Sequence, residues 1–288
     1  MRHFLVVFML VILAMVGFAG IPENSRATVE VRAERTLPLA GVSRAIALTP
    51  DGRLVFVLTD DGQVLIYEST GGLRGSVRVD AASTDIAVSP DGSRLYVTDS
   101  SRKTLKVLEL DYVVHLKTAN APFKGSQNAP VIIAVFGDFQ CPYCAKLNPL
   151  LQQVLKKYPH QVKLVYKFLP LTSIHKVAMR AAIAALAAER QGKFWPFHDG
   201  LLAAYRELSE KKLQEIGVHC GLDMEQFSRD RKDPRLVNQV RNDMKEAGDN
   251  NVRSVPSVFV NGRQLRSRSL KSFDQAIMAE LQRLGLQK

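Results

Sequence analysis

Cysteine is scarce in this chain, with three residues in 288. That number is too small for a domain held together by several disulfides. Tryptophan occurs once, and no basic cluster is interleaved with aromatic residues, so the usual footprint of a nucleic-acid-binding protein is missing. Long uncharged runs are missing after residue 21, which excludes a protein that crosses the membrane several times. The sequence therefore predicts a globular protein with no nucleic-acid partner.

The positive charge belongs to the second part of the chain. The formal net charge is +11, yet residues 1–117 carry 13 basic and 13 acidic residues. Residues 118–288 carry 26 basic and 15 acidic residues. This asymmetry, with a length that suggests about two domains, predicts that the two parts are different domains.

The longest uncharged run lies at the start of the chain, from Phe4 to Ala19. It follows the basic segment Met1-Arg2-His3, and Gly17-Phe18-Ala19 has the small-x-small form of a signal-peptidase site. We predict that residues 1–21 are a signal peptide or an uncleaved N-terminal anchor, because the length suits both. Either alternative places the protein in the periplasm or elsewhere outside the cytoplasm, with the anchored form held at the inner membrane. Disulfides persist in such compartments.

A near repeat of 40 residues occupies the region from 28 to 115. The segment Ile46–Val57 and its near copy Ile86–Val97 each contain a Pro-Asp-Gly turn, a composition that favours a hairpin. Six strands are predicted around these turns, at 42–48, 54–58, 64–67, 84–88, 95–98 and 105–110. The repeats resemble YVTN/WD-type β-propeller blades, whose period is close to this one.

Only two such repeats are present, whereas closed propellers have about four to eight blades. The sequence therefore leaves two arrangements open. Two blades pack face to face as a small sandwich, or several chains form a homo-oligomer through the β-repeats and complete a ring. The region contains no cysteine and no cluster of ligand-type residues. Its predicted role is that of a spacer or a protein-contact module.

The pattern changes after residues 116–127, a polar segment predicted to be a linker to a second domain at 128–288. Val131–Phe136 is a continuous apolar run, typical of a strand buried on both faces. Cys141-Pro142-Tyr143-Cys144 follows, and the apolar residues between Leu147 and Tyr158 recur at helical spacing. The two cysteines are therefore predicted to lie where a strand gives way to a helix.

This placement has a chemical consequence. Free N–H groups and the positive end of the dipole at a helix N-terminus lower the pKa of a thiol there, and the thiolate is the nucleophile. We predict that Cys141 is the exposed, attacking sulfur and that Cys144 resolves the mixed disulfide. Pro142 suits the first helical turn. A zinc site would need further ligands, and Cys220 lies far along the chain. A structural disulfide would close a loop too short to stabilise much. No metal and no cofactor are predicted.

Val255-Pro256 leads directly into a second apolar run, which ends at an Asn-Gly hairpin turn. A proline before a central strand suits a cis peptide bond. We therefore predict a cis bond between these two residues.

Residues 128–285 resemble the DsbA-like thioredoxin family. The resemblance is carried by short stretches, namely Asn128–Val131, Asp138–Cys144, Gln191–Trp195, His198-Asp199, Gly221–Asp223 and Val255-Pro256. It implies an α/β thioredoxin-like fold with an inserted helical subdomain. Helices are predicted at 178–186 and 213–244 for that subdomain, and a strand of the sheet is predicted at 162–168. It also implies that Tyr143 and Pro142, with Val255 and Pro256, shape the site around the cysteines. A glutaredoxin, which shares Cys-Pro-Tyr-Cys, has no room for the 112 residues between Cys144 and Pro256.

The resemblance implies a periplasmic thiol:disulfide oxidoreductase that exchanges disulfides with reduced or misoxidised exported proteins. A membrane redox partner would recycle it. The sequence does not fix the direction, so oxidase, isomerase and reductase remain open. The alternative is a non-catalytic module in which the β-repeats recognise a partner and the thioredoxin domain is a scaffold.

One position departs from the family, whose members commonly carry Glu six residues before the first cysteine. Here that residue is Val135, and strand alternation suggests that Asp138 does not replace the buried acid. Resolution of the mixed disulfide should then be slow, because Cys144 must lose its proton to water or, at longer range, to Asp138.

We expect Val135→Glu to accelerate release of a peptide from Cys141 about 10-fold, since a positioned base contributes ~10²-fold or more. Single-turnover rates between about pH 6 and 9 measure this, and equal rates in both proteins would make Val135 a bystander.

Overall fold

The computed structural model describes Arg32 and residues 34–286. The predicted signal or anchor segment lies outside these residues. The chain divides into two compact units between Glu109 and Leu110. In the part that the structure describes, no helix is long and apolar enough to cross a membrane.

Two antiparallel sheets make up the first unit. The four strands of one sheet, in spatial order, are β1 (Ser43–Leu48), β2 (Leu54–Thr59), β3 (Gln63–Glu68) and β4 (Leu73–Arg78). The three strands of the other are β5 (Asp85–Val88), β6 (Arg94–Asp99) and β7 (Thr104–Glu109). All six predicted strands are confirmed to within a few residues. Strand β4 was missed because its polar and glycine residues leave too few apolar positions to form a pattern.

The repeats build the same turn twice. The Asp51 carboxylate accepts a hydrogen bond from the Thr49 hydroxyl at 2.7 Å, and Asp91 does the same for Ser89 at 2.7 Å. The glycine that follows each aspartate has a positive φ, as the turn requires. Within the described residues the two sheets do not close into a ring. The two-blade propeller-like module is therefore seen only as a pair of antiparallel sheets.

The second unit is built on a mixed five-stranded sheet. Its strands, in spatial order, are β12 (Arg263–Gln264), β11 (Ser257–Val260), β9 (Val131–Gly137), β10 (Val162–Phe168) and β8 (Phe123–Gly125). Strands β9 and β10 are parallel, and β11 runs antiparallel to β9. Because β9 is central, it is covered on both faces, as its unbroken apolar run predicts.

Seven helices are described in this unit. They are α1 (Pro142–Lys157), α2 (Ala178–Glu189), α3 (Phe194–Ala203), α4 (Glu210–His219), α5 (Met224–Asp230), α6 (Pro234–Asp249) and α7 (Leu270–Arg283). Helices α1 and α7 contribute to one apolar core with the sheet, and the helices from α2 to α6 form another with the cysteine pair. The thioredoxin-like fold with an inserted helical subdomain is confirmed.

The predicted helix at 213–244 is instead three helices. Gly221 has a positive φ of 68° after α4, and the carboxylates of Asp223 and Asp233 cap the starts of α5 and α6. Capping carboxylates satisfy the free N–H groups of a helix start, so each one favours a new helix. Helical periodicity alone does not reveal these breaks.

The segment 116–127, predicted to be a linker, belongs to the fold of the second unit. Strand β8 pairs with β10 at the edge of the sheet, and the Trp195 indole donates a hydrogen bond to the Phe123 carbonyl at 2.6 Å. Val113 forms a β-bridge with Arg263. The second unit thus begins earlier than the predicted residue 128, because this short polar strand gives almost no apolar pattern.

Candidate active site

The cysteine pair lies between the end of β9 and the start of α1, as the sequence predicts. Cys141 is the N-cap residue of α1, Pro142 occupies the first helical turn, and Cys144 lies one turn inside. A proline costs nothing at this position, because the first N–H groups of a helix have no partner within it. The junction thereby directs free N–H groups towards the first sulfur.

Both thiols are reduced and both side chains are covered. Cys141 and Cys144 are each 5% exposed, so the prediction that Cys141 is exposed is wrong. The Cys141 sulfur faces the loop before β11, where it lies 3.7 Å from the Val255 carbonyl oxygen and donates a weak hydrogen bond to it when the thiol is protonated. The Val255–Pro256 bond is cis, which confirms that prediction.

The two sulfurs differ sharply in acidity. A hydrogen bond from the Cys144 thiol is the largest cause that lowers the pKa of Cys141, to about 6, with help from the backbone N–H groups of Cys144 and Tyr143. Burial and the nearby Asp138 carboxylate act in the opposite direction. For Cys144, the same hydrogen bond and then burial raise the pKa far above that of a free thiol. At neutral pH the pair therefore consists of a thiolate at Cys141 and a protonated thiol at Cys144.

Asp138 is a buried acid next to this pair, contrary to the expectation from strand alternation. It is 2% exposed, because the chain turns after Gly137 and carries the side chain inward. Its backbone N–H donates to the Cys144 sulfur at 3.5 Å. Its carboxylate accepts two backbone hydrogen bonds and contacts the His175 ring nitrogen Nδ1 at 2.8 Å. This histidine–aspartate pair could not be recognised in the sequence, because its members are 37 residues apart.

A small cavity lies behind Cys144. The volume open to the centre of a water molecule is about 10 Å³. The residues that line it include Cys144, Val135, Tyr166, Trp195, His198 and Pro256. Val135 and Pro256, named from the sequence, thus line one cavity with Cys144, whereas Tyr166 and His198 were not recognised as site residues.

Tyr143, between the two cysteines in the first turn of α1, is 67% exposed and forms the outer side of the site. The Lys146 ammonium lies 5.8 Å from the centre of the Tyr143 ring. Within residues 34–286, no three His, Cys, Asp or Glu side chains lie together in a way that could hold a metal. The arrangement is that of a thiolate with a protonated thiol beside it.

Comparison with known proteins agrees with the fold. A family model described as thioredoxin matches residues 117–279. A thioredoxin-like oxidoreductase from Silicibacter pomeroyi is 28% identical, with a TM-score of 0.52 over 57% of this chain and 94% of that one. The thiol-disulfide exchange protein alpha-DsbA2 from Wolbachia pipientis has the same TM-score at 20% identity, over 56% of this chain and 87% of that one, and shows the fold alone.

Curated relatives carry a different name. The Na(+)/H(+) antiporter NhaA 3 of Salinispora tropica is 36% identical over 155 residues, which are 54% of this chain and 24% of that protein. NhaA 1 of Salinispora arenicola is 34% identical over 174 residues, or 60% of this chain and 26% of that protein. This chain therefore spans about a quarter of the length of these relatives.

The hydrogen bond between the sulfurs generates a prediction about pH. Alkylation of Cys141 by iodoacetamide should follow a single titration centred near pH 6, because only the thiolate reacts. Cys144→Ala removes the main cause of the lowered pKa and should move the midpoint upward. Cys144→Ser should move it less, because a serine hydroxyl still donates a hydrogen bond. Identical profiles in all three proteins would contradict the assigned cause.

Proposed function

We propose, on the premise that this chain belongs to the thioredoxin family, that it is a thiol:disulfide oxidoreductase with Cys141 as nucleophile and Cys144 as resolving cysteine. The observation that carries the proposal is the unequal acidity of two adjacent sulfurs at a helix N-terminus. A low pKa supplies the attacking thiolate at neutral pH. A protonated partner nearby can then close the disulfide.

The proposed reaction is a thiol–disulfide exchange with another protein, and it can run in both directions. The Cys141 thiolate attacks a disulfide of the other protein, forms a mixed disulfide and releases one thiolate of that protein. Cys144 then loses its proton and attacks the Cys141 sulfur, so that the second thiolate of the substrate leaves and the Cys141–Cys144 bond forms. In reverse, the oxidised pair transfers its disulfide to a reduced protein. The stabilised Cys141 thiolate favours this reverse, oxidising direction, because it stabilises the reduced form of the pair.

We further propose that the substrates are reduced or misoxidised exported proteins and that a membrane redox partner restores the active state. The basic N-terminus with its uncharged run supports an extracytoplasmic location. A structural neighbour from Salmonella enterica, 20% identical, is a periplasmic thioredoxin-like protein, which is consistent with that location. The likeness to the antiporters is attributed to a shared domain, because the matched stretch is about as long as the thioredoxin match.

The trapping experiment tests the roles of the two cysteines. Cys141→Ser should abolish insulin reduction and the refolding of scrambled ribonuclease, because no attacking thiolate remains. Cys144→Ser should accumulate mixed disulfides with substrate, since nothing releases them. Non-reducing electrophoresis with mass spectrometry distinguishes the two variants. Trapping by Cys141→Ser instead would reverse the assignment, and trapping by neither would refute the function.

For the first unit we propose a protein-contact role in which the two sheets act as propeller-like blades and associate with copies of the chain. Large apolar side chains on its strands are exposed, including Ile46 and Leu48 on β1 and Leu105 and Val107 on β7. Sedimentation velocity on the full chain should reveal a concentration-dependent oligomer, and Ile46→Lys with Leu105→Lys should weaken it. A monomer at all concentrations in the unaltered protein would exclude this role.

A further inference from the structure

Cys144 must lose its proton to resolve a mixed disulfide, and it does so in a buried setting. Val135, where relatives commonly carry a glutamate, lines the cavity behind Cys144 and offers no proton acceptor. Asp138 is buried close by, but its carboxylate already accepts two backbone hydrogen bonds and contacts the ring nitrogen of His175. Only the backbone N–H of Asp138, and not its carboxylate, is hydrogen-bonded to the Cys144 sulfur. The cavity behind Cys144 offers a second proton acceptor.

The cavity contains a polar group without a partner. The Tyr166 hydroxyl is buried and forms no hydrogen bond with any protein group in the described part of the chain. It lies so close to Gly137 that a Cβ atom there would be 2.5 Å from it, so the glycine makes room for it. A buried hydroxyl that stays unpaired destabilises the folded protein. The cavity is about the size that one water needs, and a water would satisfy this hydroxyl.

A base lines the same cavity. His198 is almost fully buried, and its Nδ1 lies 2.9 Å from the Asp199 carboxylate. Donation from Nδ1 to this carboxylate leaves the lone pair on Nε2. Burial lowers the pKa of His198, although Asp199 opposes the shift, so the ring is neutral and able to accept a proton. The ring centres of His198 and Tyr166 are 4.9 Å apart.

We propose that a water held by the Tyr166 hydroxyl carries the Cys144 proton to Nε2 of His198, and that Asp199 stabilises the imidazolium. The inference rests on the proposed function and deepens it. The Cys144 thiolate then attacks the Cys141 sulfur, the new disulfide forms, and the substrate leaves with the electron pair of the broken bond. In the oxidising direction His198 returns the proton to the departing Cys144 thiolate.

The charged groups around the proton path are consistent with His198 as the acceptor. The charged and titratable groups that face the path are Asp138, Cys141, Tyr166, Asp199 and Lys124 on β8. The ammonium of Lys124 disfavours a charged His198, and the Asp199 carboxylate favours it. The Asp199 side chain is 42% exposed, so the proton can pass on to solvent beyond it. His198 acts on Cys144 through the water and is therefore a proton-relay residue.

The test uses the full chain with Cys220→Ser, which leaves only the active pair of thiols. One equivalent of 5,5′-dithiobis(2-nitrobenzoate) is mixed with the reduced protein, and the released nitrothiobenzoate is followed by absorbance. The first phase reports attack by Cys141, and the second reports resolution by Cys144. Absence of the first phase would refute the proposed function itself. A change confined to the second phase concerns only the relay.

His198→Gln should slow the second phase ~10²-fold or more at neutral pH, as loss of a positioned base does. In this variant the rate of the second phase should also rise ~10-fold per pH unit, because it follows the fraction of Cys144 that is a thiolate. In the unaltered protein the same rate should change little between about pH 7 and 9. Because His198 already supplies a base in the unaltered protein, Val135→Glu should accelerate the second phase more in the His198→Gln variant than in the unaltered protein. His219→Gln, at an exposed position on α4, is the matched control and should leave both phases unchanged.

Two milder variants keep the test decisive if His198→Gln does not fold. Asp199→Asn should slow the second phase several-fold, because the imidazolium loses its carboxylate. Tyr166→Phe removes only a hydroxyl that bonds to no protein group and should also slow it several-fold. Unchanged rates and pH profiles in both variants, with a normal first phase, would overturn the relay.

Discussion

The hydrogen bond between the two active-site sulfurs is the interaction on which the chemistry depends. It stabilises a thiolate at Cys141 and holds the proton on Cys144. The proposed roles, attack by Cys141 and resolution by Cys144, rest on this one contact. The helix start supplies the backbone N–H groups of Tyr143 and Cys144 to the Cys141 sulfur, whereas the Cys144 sulfur accepts the N–H of Asp138, which precedes the helix. The same four residues in mid-helix would not separate the two pKa values in this way.

The difference in acidity creates a second problem, because the protonated thiol must eventually ionise in a covered site. The polar groups around Cys144 have different roles. Asp138 is committed to backbone hydrogen bonds and to His175, and thereby fixes the loops on either side of the pair. The His198–Asp199 pair lies on α3, in the helical subdomain. The inserted helices therefore do more than cover the sheet, since they bring a base to the cavity.

Much of this architecture could be predicted from the sequence, where strong local signals exist. The unbroken apolar run of β9, the helical spacing after Cys144 and the proline before β11 are such signals. Strands β4 and β8 were missed because short, polar strands have no apolar period. The burial of Cys141 and Asp138 follows from loops that close over them from distant parts of the chain, through Val255, Leu171 and His175. His198 appeared in the sequence only as part of a family motif, because its cavity exists only once α3 packs on the sheet.

The reduction potential of the Cys141–Cys144 pair tests the central claim most directly. The protein would be equilibrated in glutathione buffers of stepped ratio, and the reduced fraction counted by alkylation and mass spectrometry. If the pair is a redox-active disulfide, we expect one two-electron transition between about −270 mV, the value of thioredoxin, and about −120 mV, the value of DsbA. The pKa of Cys141, about 6, also lies between those of the corresponding cysteines of these two proteins. A pair that never forms a disulfide, or one with a potential below about −300 mV as in structural disulfides, would contradict it.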